Sequence, residues 1–432
     1  MFSGLSRIGT SFDSRWTVYK AESIWNHHDT NLDEYPDVLV SAKFYALECV
    51  DAQGHVRTYG PLACNGHWYD SYPIGGTLLT TPLIVAAVDV MRALHPLISR
   101  FHTSQPVIEG FLEGNFDAAH PLIEMEVGSA LLAASAVMMF FIARMWLPPK
   151  RAIWLTLLFA LATSAYSIAG RAIWQHTPSM LLLTIIIYLL LRAESRPALA
   201  GWVGLPVALA YTCRPTDALF VIIFTIYVAV RHRKYLGWYL LGAAPVAAAF
   251  VTYNYSIYHN IFSPYYRSDL IGFLPSNWGR MAIAMAGNLV SPSRGLFIFT
   301  PVFLFAIVAM IRKKWNTPLA RWLPALVLAH WIIVSSYVSN WWAGHSYGPR
   351  FFTDLTPVFV LFLIPYFENW GSLPRAARIA FIVCALIGFA IHVRGGWSMA
   401  VIQWNSYPQN VDQHPSRNWD WSDPPFLRWR TY

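Results

Sequence analysis

Charged side chains are what this sequence has least of. They make up 12% of its 432 residues, about half the ~25% usual in a soluble domain. With 56% hydrophobic residues, the deficit excludes an ordinary water-soluble chain and leaves a polytopic membrane protein. Cysteine is also scarce, with four in all. Cys213 and Cys384 fall in or beside apolar runs. Cys49 and Cys64 share a polar segment, where they either pair across a loop of about 15 residues or remain two free thiols. No Cys/His spacing fits a structural zinc site, and no glycine-rich nucleotide loop is present. Residues 1–10 lack the continuous apolar stretch of a signal peptide or a span. The net charge of +8 is no nucleic-acid signal, because the basic residues come as short clusters between apolar runs.

Apolar runs are what the chain has instead. They cover about 124–146, 152–169, 178–192, 198–213, 217–230, 235–252, 296–311, 322–338, 351–367 and 379–393. Each approaches the ~20 residues that a spanning helix needs, and in lipid such runs must be helical. The expected fold is all-α, a helix bundle of about ten spans. One set of connecting loops is short and basic: Lys150-Arg151, Arg192 with Arg196, Arg231-His232-Arg233-Lys234, Arg312-Lys313-Lys314, and Arg375 with Arg378. These face the cytoplasm. The loops 170–177, 214–216, 253–295, 339–350 and 394–432 then lie outside. The apolar stretch 77–95, interrupted by Asp89 and Arg92, is read as a re-entrant or interfacial helix, which keeps 11–72 and 96–120 outside as well. Three regions result: an extracytoplasmic first loop (1–123), a helix bundle (124–393) and an extracytoplasmic tail (394–432).

Four outer loops carry an arginine at or near a helix end: Arg171, Arg214, Arg294 and Arg350. One such arginine is an ordinary snorkelling anchor. Four on one face suggest a converging anion site, and guanidinium matches phosphate oxygens bidentately. The outer loops are also aromatic. Trp341, Trp342, His345 and Tyr347 share one loop, and Asn254 and Tyr255 belong to another. Aromatic faces stack on sugar rings and polar groups bond hydroxyls, although an aromatic belt at the membrane interface has the same composition. Asp13, in Ser11-Phe12-Asp13-Ser14-Arg15-Trp16, is a carboxylate at the start of the first outer loop.

Taken in order, these features resemble the GT-C superfamily of integral-membrane glycosyltransferases. The pattern is closest to bacterial relatives of the protein O-mannosyltransferases and of the lipid A aminoarabinose transferase. The strings carrying the resemblance are Asp13, Tyr72-Pro73-Ile74-Gly75-Gly76, Arg171-Ala172-Ile173-Trp174-Gln175-His176, Arg214-Pro215-Thr216-Asp217, Ser291-Pro292-Ser293-Arg294-Gly295 and Tyr347-Gly348-Pro349-Arg350. The resemblance implies inverting transfer of a sugar from a polyprenyl-phosphate donor to a lipid, glycan or protein acceptor, on the outer face of a bacterial inner membrane. Asp13 becomes the candidate general base. Arg350 and Arg214, then Arg294 and Arg171, are the candidate phosphate ligands, with His176 and Tyr347 beside the donor. Trp341, Trp342, His345, Tyr255 and Asn254 are candidates for the sugar or acceptor.

Two departures stand out. The first transmembrane helix that precedes the acid in the family is missing, and the second outer loop carries His176 without a carboxylate. A second acid would come from Glu124, Glu126, Asp33 or Glu34. No cofactor is called for. A divalent metal stays an open alternative, since His176, His345 and Asp13 are too scattered in sequence to define its site. The competing classes are a transporter or lipid flippase and a non-catalytic assembly protein. Few charges inside the runs and no evident repeat of the halves weigh against transport.

Overall fold

A computed structural model describes residues 13–58, 64–267 and 278–429. Ser11 and Phe12, which open the Asp13 stretch, lie outside the described residues. Among the described residues, six helices are long and apolar enough to cross a membrane: Ile74–Ile98, Phe116–Ala143, His176–Ala193, Arg233–Tyr258, Leu319–Ser336 and Arg375–Trp397. The bent pair Pro149–Leu161 and Ser164–Arg171 adds a seventh if it is one span. Only 11% of the apolar window in Arg233–Tyr258 and 17% of that in Arg375–Trp397 is buried in the protein. Apolar faces left open to this extent belong against lipid, where they carry no hydration cost.

Among the described residues, not all ten apolar runs form long spanning helices. The runs 198–213, 217–230, 296–311 and 351–367 form shorter or broken helices: Gly204–Cys213, Ala218–Arg231, Phe303–Ile311 after Leu296–Phe299, and Thr356–Leu361 followed by Ile364–Glu368. Proline accounts for two of the breaks. Pro301 interrupts the 296–311 run, and Pro365 starts a new helix inside 351–367, because proline has no amide hydrogen to continue the ladder.

The two loop sets gather at opposite ends of the bundle. At one end Arg151 donates to the carbonyls of Phe367 (3.0 Å) and Glu368 (2.9 Å), Arg231 meets Glu194 at 2.9 Å, and the Lys314 ammonium lies 4.6 Å from the Tyr366 ring. At the other end stand Arg171, Arg214, Arg294 and Arg350. The helix Ile74–Ile98 is unbroken for 25 residues, so length and composition alone would let it cross. It starts against the terminal turns of two bundle helices. A Cβ on Gly75 would lie 2.1 Å from the Thr212 hydroxyl, and one on Gly76 would lie 3.7 Å from Pro178. Further along, Ile84, Val88 and Met91 pack on Val18, Ala21, Ala119 and Ile123.

The all-α expectation needs one amendment, a small antiparallel sheet in the first loop. Strands β1 (Leu47–Asp51), β2 (Val56–Thr58) and β3 (Gly66–Asp70) are ordered β2-β1-β3. The Cys49–Cys64 disulfide, left open by the sequence, ties β1 to the approach to β3 with Cα atoms 5.8 Å apart. The β1–β2 turn needs Gly54. Its φ is +76°, and a Cβ there would stand 2.7 Å from the Tyr258 backbone. The sheet is thereby pressed onto the end of the Leu236–Tyr258 helix.

The helix Arg15–Asn26 packs mainly on Ile74–Ile98 and meets this sheet at its edge, with Trp16, Val18, Tyr19, Lys20 and Ala21 all almost inaccessible. Lys20 forms a buried ion pair with Asp70 at the end of β3. Glu48 stands next to that pair, so two buried carboxylates share one lysine. Burial and the Asp70 charge push the Glu48 carboxyl up to about 7, against the opposing pull of Lys20, Arg267 and Tyr258.

Thiol labelling of the denatured, unreduced chain should mark two cysteines, Cys213 and Cys384, and all four only after reduction. Labelling of all four without reduction would show that Cys49 and Cys64 are free. For Glu48, the folded state holds a proton that the unfolded chain releases near 4.5, so stability is lost as pH rises through about 7. Glu48→Gln should therefore raise the unfolding temperature at pH 8 and change it little at pH 5, as thermal unfolding in detergent will measure.

Candidate active site

Asp13 sits two residues before the Arg15–Asn26 helix, and that helix determines its surroundings. The Trp16 indole Nε1 donates to the Tyr45 carbonyl at 3.0 Å. This holds Tyr45 beside the helix start, where its hydroxyl donates to Asp13 Oδ1 at 2.8 Å. Lys20 fixes Asp70, and two residues later Tyr72 also hydrogen-bonds Asp13. The third partner comes from the far end of the chain: Arg350 Nη2 donates to Asp13 Oδ2 at 2.7 Å. Burial alone would raise the Asp13 carboxyl. The Arg350 charge and the bonds from Tyr45, Arg350 and Tyr72 outweigh it and hold the group below its ordinary value. Burial, with the Asp13 charge second, pushes the Tyr45 hydroxyl up to about 12, so it stays a donor at neutral pH.

Arg350 is positioned by its loop and by an aromatic platform. Gly348, at φ +68°, makes the turn into the short helix Arg350–Phe352, where a Cβ would strike the Phe299 ring. The guanidinium lies 3.6 Å from the centre of the Trp174 ring, a close cation–π stack. Trp174 belongs to a segment bound on several sides. Glu124 accepts from the Ile173 amide at 3.0 Å, Ser129 donates to the Gly170 carbonyl at 2.8 Å, and Thr177 donates to the Ala169 and Ala172 carbonyls. Arg171, in the same segment, is 4% exposed. Glu124 is its attractive neighbour and Arg350 its repulsive one. The Nε groups of Arg171 and Arg350 and the indole Nε1 of Trp174 are buried without a hydrogen-bond acceptor among the described residues. Unpaired buried donors are costly, and three on neighbouring cationic and aromatic side chains make a local environment suited to an anion.

Arg214 is close by but already committed. It pairs with Asp354, which His176 also approaches at 3.7 Å. Asp217 takes the Ser179 hydroxyl, and His330 Nε2 bonds the Phe351 carbonyl at 2.7 Å. Arg294 is structural. Its guanidinium donates to the carbonyls of Trp342 (2.7 Å), Ser293 (3.0 Å) and Gly344 (3.0 Å) and to Asn405 Oδ1 (2.7 Å). Tyr347 is fully buried and gives its hydroxyl to the Ile391 carbonyl at 2.8 Å.

The residues proposed for a sugar or acceptor do not assemble around Asp13. Trp341 and Trp342 are packed with Trp404, Val411 and Trp419, and the Trp342 indole donates to Asp412. His345 faces Asp412 at 3.4 Å on the surface. Asn254 bonds within its own helix, and Tyr255 is exposed on that helix. Of the candidate second acids, Glu124 alone adjoins the arginine segment. Asp33 pairs with His67, Glu34 lies by His27 and Ser23, and Glu126 is exposed. No three His, Cys, Asp or Glu side chains group as metal ligands among the described residues. His176 and His345 belong to separate carboxylates, and both Asp13 oxygens accept hydrogen bonds.

No protein-family model, curated protein or solved structure matches the chain.

Sequence reasoning missed Tyr45, Asp354 and the platform role of Trp174. Trp174 lies within a quoted string, three residues after Arg171, and that spacing was the available signal. Asp354 is a carboxylate inside the apolar run 351–367, and its rarity there was the available signal; Tyr45 lies in a stretch with nothing local to mark it.

The Asp13–Arg350 pair has a pH signature. A lowered carboxyl contributes stability above the unfolded value near 3.8 and loses it as pH falls through the folded one. Asp13→Asn should therefore unfold at a lower temperature than wild type at pH 7. The gap should close as pH drops below about 4. A gap that is constant with pH would mean that the pair's charge does not stabilise the fold.

Proposed function

We propose that the chain is an inverting membrane glycosyltransferase that moves a sugar from a polyprenyl-phosphate donor to a lipid, glycan or protein acceptor. The observation that carries this reading is the meeting of Asp13 with Arg350, next to Arg171 and Trp174 with their unpaired N–H groups. A base and a phosphate cradle are the two elements such a transfer needs. The order of motifs that resembles the GT-C superfamily supports the same assignment. Its ten-span bundle is reached only if the short and broken helices are counted with the long ones.

The acceptor hydroxyl or amine attacks the anomeric carbon, and the new bond forms as the bond from that carbon to the phosphate oxygen breaks. The electron pair goes to the phosphate, which Arg350 and Arg171 hold. The acceptor proton goes to Asp13. A phosphate is a good leaving group, so charge stabilisation rather than protonation is what it requires. Apolar helix faces supply the wall for the polyprenyl tail, and Ile74–Ile98 lies as an interfacial helix over the bundle end. The Cys49–Cys64 disulfide favours an oxidising compartment for the Asp13 end. The basic residues at the opposite end favour the cytoplasm there. Together these support the reading that the chemistry takes place on the outer face of a bacterial inner membrane.

Purified protein assayed with polyprenyl-phosphate sugars should transfer sugar to an acceptor. Asp13→Asn should cut turnover by about 10²–10⁴-fold while the protein stays folded. Full turnover in a folded Asp13→Asn protein would remove Asp13 from the chemistry. Arg350→Ala should weaken donor binding, and unchanged donor affinity would sink the phosphate role.

A further inference from the structure

The geometry at Arg350 contains a conflict. Its Nη2 is committed to Asp13 at 2.7 Å, and its Nη1 reaches only the Ala343 carbonyl at 3.4 Å. A guanidinium in this state cannot present its fork to a phosphate. It also cannot swing away easily, because its plane lies 3.6 Å from the Trp174 ring. The base and the phosphate ligand of the proposed reaction therefore occupy each other.

We propose that the donor phosphate displaces Asp13 from Arg350, so that the carboxylate becomes available for proton transfer only once the donor is bound. This rests on the donor assignment above and adds an order of events to it. A phosphate can win the exchange for a structural reason. Arg171 stands beside Arg350 with its Nε unpaired, so an incoming phosphate meets two cations where Asp13 meets one. Charge on that phosphate grows as the sugar leaves, from one negative charge in the diester toward two in the monoester. The hold of Arg350 on it tightens in the same step in which Asp13 takes the proton.

The released carboxylate is not left unsupported. Tyr45 donates to Asp13 Oδ1, the oxygen that Arg350 does not use, at 2.8 Å, and Tyr72 also bonds the group. These neutral donors make Tyr45 and Tyr72 positioning residues, keeping the carboxylate in place after the exchange. Loss of the Arg350 charge also removes the chief influence that makes Asp13 a weak base. Before donor binding, Asp13 is a poor proton acceptor, and an acceptor substrate arriving first finds no active base.

The competition reverses the usual sign of a site mutation. Binding of decaprenyl phosphate to the full chain in detergent, followed by calorimetry at pH 7, should tighten about tenfold in Asp13→Asn, because the competing carboxylate charge is gone. Tyr45→Phe keeps both charges and withdraws support from the released carboxylate, so it should bind about threefold more weakly. Inorganic phosphate, lacking the tail, should bind far more weakly than decaprenyl phosphate. Unchanged or weaker binding by a folded Asp13→Asn protein would overturn the exchange. Should that variant fail to fold, unchanged affinity in Tyr45→Phe would overturn it instead. Equal affinity for inorganic and decaprenyl phosphate would overturn the lipid as the displacing ligand. No binding of decaprenyl phosphate by wild type would instead sink the glycosyltransferase reading itself.

Discussion

The ion pair between Asp13 and Arg350 joins residues 337 positions apart. It links the two parts of the molecule at the end where the loops of Arg171, Arg214, Arg294 and Arg350 meet. On one side stand the Arg15–Asn26 helix and the small sheet, held together by Trp16, the buried Lys20–Asp70 pair and a disulfide. On the other stands the loop that ends in Gly348 and Arg350. A charge pair in a partly buried place is strong only if its surroundings hold the geometry. Most of the polar contacts near the site serve that purpose. Glu124, Ser129 and Thr177 set the segment that carries Trp174, and Trp174 supports the flat face of the guanidinium.

The second buried charge group is built on the pairing of Arg214 with Asp354. His176 Nδ1, Asp217 Oδ1 and Asp354 Oδ1 are buried there without a hydrogen-bond partner among the described residues. This separates the four outer arginines by role. Arg214 is neutralised by its own carboxylate and Arg294 is consumed by backbone carbonyls. Arg171 and Arg350 retain unpaired N–H groups. Equal-looking arginines at four helix ends thus differ in whether the fold has already given them an acceptor.

That distinction marks how far the sequence was legible. Charge sorts the loops into two sets, and the structure gathers those sets at opposite ends, because lysine and arginine placement follows a rule that acts through local composition. Asp13, Arg171 and Arg350 could be singled out because a charged side chain is rare here, and the two arginines each stand beside an apolar run. Tyr45 could not, since its importance comes from contacts with residues far away in the chain, whereas Asp354, a carboxylate inside the apolar run 351–367, carried a signal that went unused. Trp341 and Trp342 had the composition of a sugar platform but are covered by the tail, and exposure is a property of the whole fold. Fewer than ten of the runs form long unbroken helices among the described residues, in part because of Pro301 and Pro365, where a hydrophobicity window registers the apolar run but not the lost hydrogen bond. The sheet went unseen because its strands are three to five residues long and lack a strong alternating pattern.

Arg294 has a consequence for how the protein comes into being. Its guanidinium holds the carbonyls of Trp342 and Gly344 on one side and Asn405 on the other, while Ser293 bonds Asn418. The loop that carries Arg350 therefore rests on residues well beyond it in the sequence. Translation delivers those residues after Arg350 itself, long after the Asp13 helix and the sheet have had time to fold. The pairing of Asp13 with Arg350 is then a late step in biogenesis, and a chain stopped before Asn405 would lack the anchor of that loop even with every arginine of the site already made.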